Sequence, residues 1–240
     1  MSFEIITIPC LSDNYAFLAH DAADGKTLLV DVPEAAPISE ALYKRGWRLT
    51  DILLTHHHQD HVDGLAELLK SHPARVIGAK ADQNRLPPLD EAVVEGDIIT
   101  VGSNNGLVFD VSGHTIGHIA IHFSSSKLLF TADSLMALGC GRLFEGDPDQ
   151  MWGSLSKLAT LDPDTIVCSG HEVKLINKIC KKMDIFTPGI RLYGDKNQDQ
   201  KRVINPKQAF TNGATGIVIG RSITRGSIKN NIQKLIKSLK

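Results

Sequence analysis

Thr55-His56-His57-His58-Gln59-Asp60-His61 follows directly on the short apolar run Asp51-Ile52-Leu53-Leu54. Such a run reads as a strand, and the chain leaving it delivers several imidazoles and a carboxylate within a few positions. Borderline nitrogen donors with one hard oxygen are the set preferred by zinc and its first-row neighbours. A polar loop of solvated histidines is the ordinary alternative. Three further residues weigh against it: His114 in Ser112-Gly113-His114-Thr115, Asp133 in Phe130-Thr131-Ala132-Asp133, and His171 in Ser169-Gly170-His171-Glu172. Each stands just after a predicted strand, and the strand ends of one layered fold can converge on a single cleft.

Outward from this stretch, β-branched and apolar runs predict strands over residues 3–9, 14–20 and 27–31, separated by Ser-Asp-Asn and Asp-Gly turns. Ile38, Leu42 and Tyr43 fall at helical spacing within residues 36–48, with Gly46 placed as a C-terminal breaker. A helix is predicted over 64–71 and a strand over 75–79. The middle of the chain is strand-rich (97–101, 106–112, 119–123 and 127–132), followed by a helix over 154–159 and a strand over 165–169. Helices between strands indicate a layered α/β fold.

Length and composition admit one large domain, or a medium domain with an appendage. No stretch approaches eighteen consecutive apolar residues, and no basic segment followed by an apolar core opens the chain. The expectation is a cytoplasmic protein without membrane contact. Cys10, Cys140, Cys168 and Cys180 form no CxxC pair or disulfide framework, so reduced thiols are expected.

The formal net charge of −1 conceals a division. Residues 1–172 carry 11 Lys and Arg against 24 Asp and Glu, a balance of −13, whereas residues 173–240 carry 15 against 3, a balance of +12. All ten histidines lie at or before His171. This asymmetry marks a candidate boundary between a first domain, 1–172, and a second, 173–240. The basic tail invites a nucleic-acid reading, but its lysines are dispersed and no aromatic platform accompanies them, so nucleic acid is not the expected partner.

The Thr-His-x-His-x-Asp-His stretch with its separated His, Asp and His resembles the signature of the metallo-β-lactamase superfamily. Ser-Gly-His-Thr-Ile-Gly-His, Phe-Thr-Ala-Asp-Ser-Leu, Gly139-Cys140-Gly141-Arg142-Leu143-Phe144-Glu145-Gly146, Gln150-Met151-Trp152 and Gly170-His171-Glu172 narrow it. They are similar to successive motifs of glyoxalase II, the hydroxyacylglutathione hydrolases, and cover nearly all of 1–172. The resemblance implies a four-layer αββα fold. It also implies one metal held by His56, His58 and His114, another by Asp60, His61 and His171, and Asp133 bridging them. His57 would point elsewhere, His118 reads as a strand or packing histidine, and His20, His72 and His122 have no ligand context.

Hydrolysis follows from such a pair of ions on general grounds. Two close divalent cations can lower the pKa of a shared water from about 15.7 to about 7 and can polarise a carbonyl. A thioester suits the site because its thiolate leaving group, of pKa roughly 8.5, departs with little proton donation. Asp60 is expected to serve as ligand and as an acceptor orienting the nucleophile. By the resemblance, two zinc ions, with iron or manganese as alternatives, are the expected cofactors. A glutathione thioester such as S-lactoylglutathione is the expected substrate, with Arg142 and Phe144 meeting the glutathione moiety.

The resemblance ends after Glu172, where Val173-Lys174 replaces the expected Tyr-Thr and the helical domain that usually follows has no counterpart. Residues 167–228 instead resemble the last part of orotidine 5′-phosphate decarboxylase, a (β/α)₈ barrel. Its catalytic Asp-x-Lys-x-x-Asp array is absent, so decarboxylation is not expected. Gln200, Gly220 and Arg221 match positions that grip a phosphate in that family. A partial barrel leaves sheet edges exposed, through which the tail could self-associate. A final helix around 229–239 sets Ile232, Leu235, Ile236 and Leu239 on one face. The fused chain could thus be a catalytically impaired enzyme with an intact metal site, or a metallo-hydrolase of other ester specificity.

Overall fold

The computed structural model describes residues 3–136, 139–171, 186–187, 205–211, 216–217 and 227–239. It divides into two compact units, Met1–Glu172 and Val173–Lys240.

The first unit is built on two sheets. Strands β1 (Glu4–Cys10), β2 (Asn14–Asp21), β3 (Lys26–Val30), β4 (Asp51–Leu54), β5 (Arg75–Ala79) and β6 (Glu91–Val93) lie in sequential order in a six-stranded sheet. β1–β3 are antiparallel hairpin neighbours, and β3–β6 run parallel. The second sheet has the order β13-β10-β9-β8-β7, from β7 (Ile98–Val101), β8 (Asn104–Asp110), β9 (Ile119–Phe123), β10 (Leu128–Ala132) and β13 (Ile166–Ser169). Between β10 and β13 lie the short β11 (Leu135–Met136) and β12 (Gly139–Cys140) and a helix, α4 (Pro148–Leu158).

Side chains alternate across each strand, and the alternation creates the layers. Leu28 and Val30 of β3 and Leu53 of β4 face Ile121 and Phe123 of β9 and Phe130 of β10 in the core between the sheets. Leu29, Ile52 and Leu54 point the other way, onto Ile38 and Leu42 of α1 (Ala35–Arg45) and Leu65 and Leu68 of α3 (Leu65–Ser71). On the far side Ala120 and Leu129 pack on Leu158 of α4. The result is the expected αββα sandwich. Gly46 closes α1 in a left-handed conformation, φ 64°, as its position predicts.

Some elements differ from expectation. The helix expected over 154–159 starts earlier, because Asp147 and Gln150 form a capping box with Pro148 at the first turn. Strand β6 is three residues long, too short to carry an alternation, and was not foreseen. Tyr43, grouped with the apolar face of α1, is 88% exposed, whereas Ile38 and Leu42 are buried.

In the second unit the described residues comprise a parallel pair, β14 (Phe186–Thr187) with β15 (Gly216–Ile217), and two helices, α5 (Pro206–Thr211) and α6 (Ile228–Leu239). They do not define a barrel. No helix among the described residues is long and apolar enough to cross a membrane.

Candidate metal centre

Strand ends bring the seven predicted residues together. The quoted stretch leaves β4 extended through His58, then turns into one helical turn, α2 (Gln59–Val62), which carries Asp60 and His61. The expected loop is thus half helix. Asp133 follows directly on β10, His171 stands two residues past the end of β13, and His114 lies in the β8–β9 connection.

The ligand-type atoms of His56, His58 and His114 lie within 4.8 Å of one another, as do those of Asp60, His61 and His171, and those of His56, His61 and Asp133. Asp133 joins the groups: its Oδ1 is 3.4 Å from His61 Nε2, and its Oδ2 is 3.2 Å from His171 Nε2 and 3.4 Å from His114 Nε2. His171 Nε2 is also 3.4 Å from Asp60 Oδ2. Arg142 and Phe144 stand beside the cluster. The Phe144 ring, 57% exposed, meets the His58 and His114 rings edge-on at 5.3 Å, and the Arg142 guanidinium lies 5.0 Å over it. Gln200, Gly220 and Arg221 fall outside the described residues.

A ring of oxygens orients the imidazoles. His61 Nδ1 donates to Asp31 Oδ2 at 2.8 Å, His171 Nδ1 to Asp13 Oδ2 at 3.0 Å and His114 Nδ1 to the Arg142 carbonyl at 2.6 Å. Thr55 Oγ1 donates to Asp31 Oδ2 and lies 3.0 Å from His56 Nδ1, placed to accept from it. Each bond fixes the tautomer that leaves Nε2 facing the cluster, the arrangement expected around metal-binding histidines. His58 presents Nδ1 instead, 3.0 Å from His114 Nε2. The Asn14 amide donates to both the backbone carbonyl and Oδ2 of Asp60.

Close backbone approach requires two of the glycines. A Cβ on Gly170 would stand 2.5 Å from Asp133 Oδ1 and 2.9 Å from His61 Cε1, and one on Gly141 would stand 2.1 Å from the Asp133 carbonyl oxygen. Asp31 and Ala132, the residue before Asp133, hold φ of 59° and 41°, which side-chain-bearing residues adopt rarely.

These groups suit a cation. Among the described residues the buried His56 Nε2 and Asp133 Oδ1 find no hydrogen-bond partner, a costly state for buried polar atoms unless another ligand meets them. Burial pushes His56 well below the ordinary imidazole range and also lowers His58 and His114, favouring neutral rings with a lone pair to give. Burial would lower His61 too, but the Asp133 and Asp31 carboxylates outweigh it and raise that ring well above its usual value. His171 is likewise raised against its burial, by Asp133 and Asp13. For Asp133, His61 and His171 outweigh burial and hold the carboxyl well below its usual range. The cluster therefore keeps an ionised carboxylate under low solvent exposure and draws positive charge to it.

His57 points away, as expected, donating from Nδ1 to Asp82 Oδ2 at 2.9 Å. His118 does more than pack: its ring stacks on His56 at 4.5 Å and its Nε2 accepts the Asp133 backbone N–H at 3.3 Å. Burial and the neighbouring His114 push it down to about 3, so it remains neutral and able to accept. His20 stacks on Trp47, away from the cluster. Residue patterns alone did not single out Asp13, Asn14, Asp31 or Asp82 for a role. Their one signal was position, since Asp31 ends a predicted strand and Asp13-Asn14 fills a predicted turn.

The metallo-β-lactamase superfamily profile matches residues 13–171, and that of the orotidine 5′-phosphate decarboxylase/HUMPS family matches residues 130–231. The chain is similar in structure to the BLEG-1 B3 metallo-β-lactamase, with TM-score 0.66 and 22% identity over 70% of this chain and 92% of that one. It also resembles TTHA1623 in a di-iron-bound form, with TM-score 0.60 and 26% identity over 70% and 92%. The chain belongs to the metallo-β-lactamase superfamily, and its His/Asp cluster is that of a metal-dependent hydrolase. A curated hydroxyacylglutathione hydrolase from Ruegeria pomeroyi is 66% identical over 172 residues, 72% of this chain and 68% of that protein. Within the superfamily, the chain belongs to the hydroxyacylglutathione hydrolase family.

Proposed function

We propose that the first unit hydrolyses S-2-hydroxyacylglutathiones such as S-lactoylglutathione to the hydroxy acid and glutathione. The observation that carries this reading is the convergence of three interlocking donor groups on Asp133, with Arg142 and Phe144 beside them. His56, His58 and His114 would hold one divalent cation and Asp60, His61 and His171 the other, with Asp133 shared. Zinc suits the imidazole-rich set, and iron or manganese can replace it; the di-iron form of TTHA1623 supports the iron alternative. Bound there, such a pair supplies a nucleophilic hydroxide near neutral pH and polarises the thioester carbonyl.

The chain's own residues do the rest. Asp60, with a side chain 43% exposed, is the carboxylate of the cluster open to incoming water and orients the nucleophile, itself braced by the Asn14 amide. Phe144 offers an exposed apolar face beside the histidines, and Arg142 a cation for a glutathione carboxylate. The C–S bond breaks with departure of a thiolate, which requires no dedicated acid. The expected setting is the cytoplasm.

A rate comparison tests the substrate: lactoylglutathione should be turned over far faster than simple thioesters or phosphodiesters, and equal rates would point to a hydrolase of other ester specificity. The decarboxylase-like match from residue 130 onward favours a second reading, a fused chain with impaired catalysis. Loss of binding groups remote from the carbonyl raises KM more than it lowers kcat.

A further inference from the structure

A charged network beside the cluster has no part in holding a metal. Asp82, 1% exposed, receives His57 Nδ1 on Oδ2 at 2.9 Å and Arg85 Nε on Oδ1 at 2.7 Å. Arg85 continues to Glu145 Oε1, which lies 3.6 Å from His57 Nε2, while Glu145 Oε2 accepts the Ile116 backbone N–H at 2.9 Å. Gly117 makes room for this, since a Cβ there would lie 2.6 Å from that of Asp82. The network thus ties four segments together: the histidine stretch after β4, the turn after β5, the β8–β9 connection at Ile116, and the Gly141–Gly146 loop that carries Arg142 and Phe144.

We propose that Arg85 is a positioning residue for substrate recognition, resting on the glutathione-thioester reading above. It clamps Glu145 so that the loop presents Phe144 and Arg142 beside the histidines. It also neutralises the Glu145 carboxylate, three residues from Arg142. Without Arg85, Glu145 would keep the Ile116 N–H as a partner but lose its guanidinium counter-charge beside Arg142. It could repel an anionic tripeptide and compete for the Arg142 guanidinium. The backbone bonds Gly141 N–H to Asp133 O, Phe144 N–H to His114 O and Gly146 N–H to Gly113 O give the loop its path. Arg85 supplies the charge balance and the remaining stiffness.

The test uses the full chain with R85M, R85K, E145Q and the double variant R85M/E145Q, each first checked for unchanged metal content. Amide hydrogen exchange should quicken at least about fivefold over 141–146 in R85M and remain unchanged over β4. KM for lactoylglutathione should rise about five- to tenfold in R85M with kcat within twofold. The double variant should recover most of the rise and R85K part of it. Calorimetric binding of an S-alkylglutathione should weaken in parallel. Unchanged exchange over 141–146 would overturn the clamp. Faster exchange with KM unmoved, or with kcat falling instead, would overturn the recognition role. So would a double variant no better than R85M. If the wild-type chain turns over no glutathione thioester, the substrate reading fails, while the exchange result still decides the clamp.

Discussion

Single atoms decide whether the cluster forms. Gly170 is the sharpest case, because a methyl group there would sit within 2.5 Å of Asp133 Oδ1 and 2.9 Å of a His61 ring carbon. Gly170→Ala should therefore displace the carboxylate shared by the donor groups. Metal affinity is expected to fall by about tenfold or more, as for lost oriented partners, measured by competition with a chromogenic chelator. Asp31 is the matching polar case, since it holds both His61 and Thr55, and through Thr55, His56. Asp31→Ala should cost about 10- to 100-fold in metal affinity or activity, even though Asp31 is outside the proposed ligand set.

These residues also show how far the sequence could be read. The seven candidate ligands were legible because imidazoles and carboxylates after strands are rare without a use. Asp31 and Asp13 were not, since a carboxylate at a strand end or in a turn is ordinary and only the fold brings it to a ring nitrogen. His118 illustrates the same limit: its spacing suggested packing, and only the register of β9 beside β10 puts Nε2 on the Asp133 amide.

Among the elements, the sheets are tied by polar bonds as well as by their apolar core. Asp21, at the end of β2, accepts the Ser103 N–H, the Ser103 hydroxyl and the Asn104 amide from the β7–β8 turn. The Ser103 bonds dominate in drawing its carboxyl from near 3.8 down to about 2. A carboxyl with a folded-state pKa below its unfolded value stabilises the fold above the unfolded pKa. That stabilisation is present at neutral pH and fades as pH falls from about 4 toward 2. Asp21→Asn should lower stability at pH 7 and leave it less pH-dependent between 4 and 2, as denaturant midpoints at several pH values would show. The capping box of α4 gives a second expectation: Asp147→Ala should cost about 1 kcal/mol, seen as a melting temperature lowered by roughly 2–4 °C. That helix was only half legible, because its first turn is fixed by a cap rather than by apolar spacing.

For the whole molecule, the two halves are legible to different depths. The first was readable in its layers and donor residues, because strand alternation, turn glycines and the histidine motifs all agree with one αββα sandwich. The second carries a strong charge signal but shows only two short strands and two helices among the described residues. The donor residues come from the segments that follow β4, β8, β10 and β13, far apart in sequence, so a bound cation links those segments only in the folded state. Metal present at about 1,000 times its dissociation constant should add about 4 kcal/mol of stability. A melting temperature that rises with added zinc and drops with chelator would show this linkage.

The central claim, that seven side chains between His56 and His171 hold two cations, is tested most directly by metal stoichiometry in the purified full-length protein, by elemental analysis. Two equivalents per chain are predicted, falling by at least one in Asp133→Ala. A wild-type chain that retains no metal, or an Asp133→Ala variant that still holds both equivalents, would contradict the account.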